Sequence, residues 1–267
     1  MTDLPQTSAL DLDLEQGWLT IWFDRPEKRN AFTAALVADL HAVLDVVRDD
    51  RGVRGITIRG RGGVFCAGGD LKAFKADFQA GGSRDDVVAM SKAGAAIFDA
   101  VNTMPQVVIV LIEGAAMAGG FGLACCADVV LCESGARFAM TETMIGLSPA
   151  QIAPFVIQKL GPATARRLML TAARFDGAEA KQLGFADFVA DSAAELEAIE
   201  GQLRKQVRAC APGAIAATKA LIGEIQGLPR DQVIAVAAEN FAERMVGDEA
   251  REGIAAFLDK RKPDWAD

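Results

Sequence analysis

The chain has 267 residues, Lys+Arg 28 against Asp+Glu 36, and a net charge of −8. That length supports a large buried core without a disulfide or metal staple, and the acidic balance excludes a phosphate-backbone binder of the DNA or RNA kind. A single histidine, His41, excludes His-rich zinc sites, Ser-His-Asp triads and Cys-His dyads.

Ser8 to Leu14 and Trp18 to Phe23 alternate apolar and polar residues around Gly17, which predicts a hairpin. Leu36, Val37, Leu40, Val43, Leu44 and Val47 recur at helical spacing, with Thr33 as N-cap. His41 falls off that stripe and is expected at the surface. Gly55 to Arg59 reads as a short strand, and Gly60 to Asp70 as a Gly-rich loop. Asp85 to Val101 reads as a helix and Gln106 to Ile112 as a buried strand. Gly114 to Gly122 is a second Gly-rich segment that opens an Ala/Cys/Leu helix. Val129 to Cys132 and Arg137 to Met140 are further strands. From Pro149 the chain turns mostly helical, interrupted near Phe185 to Val189. Strands and helices alternate first and helices dominate later, so an α/β core with a helical C-terminal region is expected.

The five cysteines, Cys66, Cys125, Cys126, Cys132 and Cys210, have no CxxC spacing. They are expected to be reduced, buried thiols of a cytoplasmic protein. The N-terminal residues have no basic region followed by an apolar one, so a secretory signal is not expected. No apolar run is long enough for a bilayer span, and no metal site is expected.

Neither Gly-rich loop is a nucleotide loop. Phe65 stands where a dinucleotide fingerprint beginning at Gly60 needs a small residue, and no Gly-Lys-Ser/Thr occurs. Each loop instead follows a strand and leads toward a helix. Two such loops can aim one N–H each at a single carbonyl oxygen. That arrangement is an oxyanion hole, and it suits an acyl thioester whose carbonyl becomes an enolate.

Five stretches carry a resemblance. They are Arg25 to Phe32 (RPEKRNAF), Phe65 to Lys72 (FCAGGDLK), Glu113 to Asp128 (EGAAMAGGFGLACCAD), Phe138 to Leu147 (FAMTETMIGL) and Ala250 to Pro263 (AREGIAAFLDKRKP). Together they resemble the crotonase family, the enoyl-CoA hydratase/isomerase superfamily, along essentially the whole chain. The resemblance implies stacked ββα units over residues 1–195. It also implies a helical region over 196–267 that supports oligomers and lids the CoA pocket. Homotrimers or dimers of trimers are expected, and neither nucleic acid nor membrane is an expected partner. The ligand would be an acyl-CoA thioester, with coenzyme A part of the substrate and no other cofactor.

By the same resemblance, Gly69 and Gly119 donate the oxyanion hydrogen bonds. Ala67, Gly68, Asp70, Leu71 and Lys72 line the CoA and acyl side of the first loop. Lys28, Phe257 and Lys260 are candidates for the nucleotide end of CoA. Hydratases of this family use two glutamates. One matches Glu142; the other would stand three residues after Gly119, where this chain has Gly122. The vacated volume is expected to hold water or a bulkier acyl group. The stretch Gly146 to Phe155 (GLSPAQIAPF) resembles hydratases of branched or glutaconyl-type acyl-CoAs. A hydratase or dehydratase is therefore expected, with a Δ3,Δ2-enoyl-CoA isomerase and a non-catalytic acyl-CoA-binding protein as alternatives.

Overall fold

A computed structural model describes residues 2–70 and 83–266. Leu71 and Lys72 lie outside the described residues. The expected hairpin forms as β1 (Leu10–Glu15) and β2 (Trp18–Phe23), with Glu15 opposite Trp18. Its two-residue turn, Gln16 and Gly17, has φ of 50° and 71°, the primed geometry that matches strand twist.

The remaining strands of the main sheet are β3 (Gly55–Gly60), β4 (Val107–Ile112), β6 (Val129–Glu133) and β9 (Phe188–Ala190). The order is β1-β2-β3-β4-β6-β9, and every pair after the hairpin is parallel. β3 is buried along its whole length and β4 nearly so, as a parallel strand covered on both faces must be. β5 (Ala115–Met117), β7 (Arg137–Ala139) and β8 (Phe175–Asp176) form a second, smaller sheet. β4–β5 and β6–β7 each send a first strand to the large sheet and a second to the small one. Cys66 bridges Ala116 in parallel after β3, so that segment repeats the pattern.

Helix α1 (Ala34–Val47) buries Leu36, Leu40, Val43, Leu44 and Val47, and Thr33 accepts from the Leu36 N–H as expected. His41 is half-buried rather than solvated, but it lies off that buried stripe. α2 (Arg84–Asn102) starts one residue earlier than expected. Ser83 and Asp86 form a reciprocal capping box there. α3 (Gly119–Cys125) is short and buried from Gly120 onward.

α4 (Ala153–Thr171) is interrupted at Gly161 and Pro162. α5 spans Gly177–Gln182. α6 (Ala193–Arg208) packs on β6 and β9. Its Leu196 joins Trp18, Ile109, Leu111 and Leu131 in a small core on one face of the sheet. The larger core lies on the other face. Four of the cysteines are buried, whereas Cys210 is exposed at the end of α6, contrary to expectation.

The last helices are α7 (Pro212–Glu224), α8 (Arg230–Met245) and α9 (Asp248–Leu258). Lys219 ties α7 to the sheet. Its Nζ donates to Asp128 Oδ2 at 2.6 Å and to the Gln106 carbonyl at 3.3 Å, and Asp128 Oδ2 also accepts from the Val108 N–H at 2.7 Å. Burial lowers the Lys219 pKa, and Asp128 opposes that shift. Lys219→Met removes a mostly buried ammonium and leaves Asp128, which is exposed, with one fewer partner. It should destabilise the fold by about 1 kcal/mol in denaturant unfolding, the upper end for a pair with a solvent-exposed member; an unchanged stability would show the tie to be dispensable.

Candidate functional site

Three segments run parallel and end at one edge. Cys66 bridges Ala116, and Ala116 pairs with Phe138. Counting forward from that register, Gly69 and Gly119 each lie three residues on and Glu142 four. Backbone hydrogen bonds hold the segments together. The Phe65 N–H donates to the Glu113 carbonyl at 3.1 Å, Met117 to Cys66 at 2.9 Å, and Ala118 to Ala139 at 2.8 Å. Asn30, fully buried, donates to the carbonyls of Arg61 (2.9 Å) and Val64 (2.6 Å) and fixes the start of the first loop.

Within that loop almost every backbone group is used. The Ala67 N–H donates to Arg29, Phe32 to Gly68, and Asp70 to Phe32. Gly68 N–H points at Cys66 Sγ, 3.4 Å away. The Gly69 N–H, by contrast, donates to no described protein atom.

The Gly119 N–H likewise donates to no described protein atom. It opens α3, where helix geometry leaves the first amides without partners. The preceding Ala118 supplies no side-chain cap and sits at φ 48°, ψ −119°. That strained conformation costs about 1–3 kcal/mol in a non-glycine residue and sets the direction of the 118–119 peptide.

Phe32 connects the two amides: it bridges Gly69, and its ring edge lies 3.0 Å from where a Gly119 Cβ would be. Phe98 reaches the same point at 3.9 Å. Gly120 is required by close approach, because a Cβ there would stand 2.6 Å from Cys66 Cβ. Cys66 itself is an inert spacer, its thiol pushed up to about 12 by burial.

Glu142 starts the 3₁₀ turn Glu142–Ile145 after β7. Its carboxyl is half-buried, and Oε2 is buried with no hydrogen-bond partner among the described residues. Burial raises its pKa above 4.5, partly offset by a bond from its own backbone. A carboxyl so placed can both accept and return a proton near neutral pH.

The space beside Gly122 is not vacant. A Cβ at Gly122 would lie 2.1 Å from Ile152 Cγ2, so Ile152 already fills the volume expected to hold water or extra acyl bulk. Sequence spacing missed this because Ile152 reaches Gly122 from thirty positions on, across the turn that carries Glu142. Gly122→Ala should therefore destabilise by about 1–3 kcal/mol through overpacking. Combining it with Ile152→Ala should recover part of that loss in a double-mutant cycle; strict additivity would show that the two residues do not compete for one space.

Of the other candidates, Ala67, Gly68 and Asp70 lie in the first loop. Lys28 is exposed on the turn Pro26–Lys28, whose Pro26 lies against Gly62 at the start of that loop. Phe257 and Lys260 lie at the end of α9, which packs on α8; Phe257 is 83% exposed. No cluster of three metal-ligating side chains occurs among the described residues. Among these residues, no helix is long and apolar enough to cross a membrane.

The sequence profile of the Enoyl-CoA hydratase/isomerase family matches residues 13–267. A putative enoyl-CoA hydratase of Thermus thermophilus is 32% identical over 254 residues, 94% of this chain and 99% of that protein. The carnitinyl-CoA dehydratase of Proteus mirabilis is 33% identical over 275 residues, 97% of this chain and 98% of that one. The solved structure of AtuE from Pseudomonas aeruginosa superposes with a TM-score of 0.94 at 44% identity, covering 97% of this chain and all of that one (100%). The paired sheets with their alternating strands, together with these matches, lead to one conclusion: the chain is an enzyme of the enoyl-CoA hydratase/isomerase family, the crotonase superfamily.

Proposed function

We propose that the chain hydrates an enoyl-CoA thioester, or runs the reverse dehydration, with Gly69, Gly119 and Glu142 as its chemical groups. The observation that carries this reading is that two amides and one buried carboxyl oxygen, each without a partner among the described residues, end at a common edge of parallel strands. The Gly69 and Gly119 N–H groups hold the thioester oxygen as charge develops on it. The Glu142 carboxylate takes a proton from water as the water oxygen bonds to the β-carbon and the double-bond pair moves toward the thioester. Glu142 then returns the proton to the α-carbon. One carboxyl thus does both transfers in turn, which suits a chain with Gly122 at the position of the second.

The acyl group is branched or glutaconyl-type on this reading, as the Gly146 to Phe155 stretch suggests. Ala67, Gly68 and Asp70 line the thioester. Lys28, Phe257 and Lys260 meet the nucleotide end of CoA. Exposed Ile234, Phe241, Val246, Phe257 and Leu258 on the C-terminal helices support a homotrimer or dimer of trimers, because monomers rarely leave so much apolar surface open.

A second reading has its own observation. Ile152 against Gly122 makes the wall at that point apolar, which favours a proton shuttle between carbons, the isomerase reaction, over water addition. Enoyl-CoA substrates incubated in D2O and read by mass spectrometry separate the two. Hydration adds the mass of one water; isomerisation adds only deuterium or moves the double bond. Neither change would refute both.

A further inference from the structure

The Gly69 and Gly119 amides belong to separate segments. Among the described residues, no backbone hydrogen bond joins those segments beyond Met117 to Cys66. The strands set the register of the two donors, and packing must set the gap between them. That gap matters because each donor has to lie about 2.7–3.1 Å from one and the same oxygen.

Phe32 touches both donors. Its backbone bridges Gly69. The Phe32 N–H donates to the Gly68 carbonyl at 2.8 Å, and the Phe32 carbonyl accepts from the Asp70 N–H at 3.2 Å. The Gly68 carbonyl and the Gly69 N–H share one planar trans peptide. Fixing the carbonyl on Phe32 therefore turns the Gly69 N–H to the opposite side. The ring of the same residue faces α3. Its Cδ2 and Cε2 lie 3.0 and 3.3 Å from where a Gly119 Cβ would stand.

The ring is itself held. Phe23 and Phe98 meet it edge-on, with centroids 6.0 and 6.2 Å away, and both are buried. Thr33, the next residue, caps α1. The start of α3 has no side-chain cap, so contact with this ring decides where the Gly119 amide stands.

We infer that Phe32 is a positioning residue for the reaction: its backbone aims the Gly69 amide, and its ring spaces the Gly119 amide from it. This rests on the oxyanion reading above and deepens it.

The test uses butyryl-CoA labelled with heavy carbon at the thioester carbonyl, bound to the full chain and read by isotope-edited infrared difference spectroscopy. The saturated thioester is not turned over, and its C=O stretch falls with each hydrogen bond it accepts. Binding to the wild type should lower the stretch. Phe32→Ala should lose about half of that drop, because one of two donors leaves its place. Its kcat for an enoyl-CoA should fall about tenfold at nearly unchanged KM, as a small misplacement of a reacting group costs. Phe32→Leu refills most of the space and should restore most of both. A ring with a structural role alone would change the melting temperature and leave the bound carbonyl at the wild-type frequency. That frequency in a folded Phe32→Ala variant overturns the proposal; if alanine does not fold, the same frequency in Phe32→Val does so. If the wild type itself leaves the stretch unmoved, the oxyanion reading falls, and this inference with it; if only the variants keep the wild-type frequency, the oxyanion reading stands and Phe32 alone is excluded.

Discussion

Glu142→Gln should lower kcat by about a thousandfold, within the range usual for loss of a general acid–base group, while acyl-CoA affinity changes little. Stopped and continuous assays of enoyl-CoA turnover, paired with titration of a saturated acyl-CoA, measure the two effects separately. Gln keeps the shape of the side chain but cannot take a proton from water. The wild-type kcat should also fall on the acid side with a midpoint above the ordinary glutamate value of 4.5, because burial disfavours the charged form. The acid limb should be missing from the residual activity of the variant.

Stability carries the same signature with a definite sign. The folded-state pKa of Glu142 is raised, so its contribution to stability is full at pH below the unfolded value and is lost as pH rises through the folded one. Above that pH the native protein must hold a half-buried charge. Glu142→Gln should therefore unfold at a higher temperature than the wild type at neutral pH, and the gap should close below pH 4.5. A variant that is less stable at every pH would mean that the carboxyl is a structural partner, and would remove it from the reaction.

Gly119→Pro should cost about 10²–10³ in kcat, the scale of losing one oxyanion donor. The position is the first of α3, where proline is tolerated by a helix. Ala118 just before it, at ψ −119°, conflicts with the extended backbone that proline prefers in its predecessor. Thermal unfolding must accordingly be recorded beside activity. Loss of turnover with the melting temperature within a few degrees of the wild type identifies the amide as the cause. Full turnover in a folded variant would exclude Gly119 from the site.

Much of the fold is legible before any coordinates. Alternation fixes the hairpin at Gly17, and helical spacing marks α1 with its Thr33 cap, because both are local. The Ser83-x-x-Asp86 capping box was also local, and it could have set the start of α2. The two Gly-rich loops announce close backbone approach, and Gly120 against Cys66 supplies the reason. Partners that meet across the fold were not legible. Ile152 in the space beside Gly122 and Phe98 beside Gly119 depend on how α2 and α4 pack against α3, and no periodicity encodes that. That the Gly69 amide meets no described acceptor depends on where its neighbours' hydrogen bonds go, which sequence does not encode. Cys210 is exposed although its residue type favours burial, because composition cannot distinguish a helix end from a core.

The most direct measurement is a crystal structure with a saturated acyl-CoA bound. The thioester oxygen should lie about 3 Å from both the Gly69 and Gly119 nitrogens, with the Glu142 carboxyl facing the acyl carbons next to it. A thioester oxygen held by other groups, or Glu142 turned away from the acyl chain, would contradict this account.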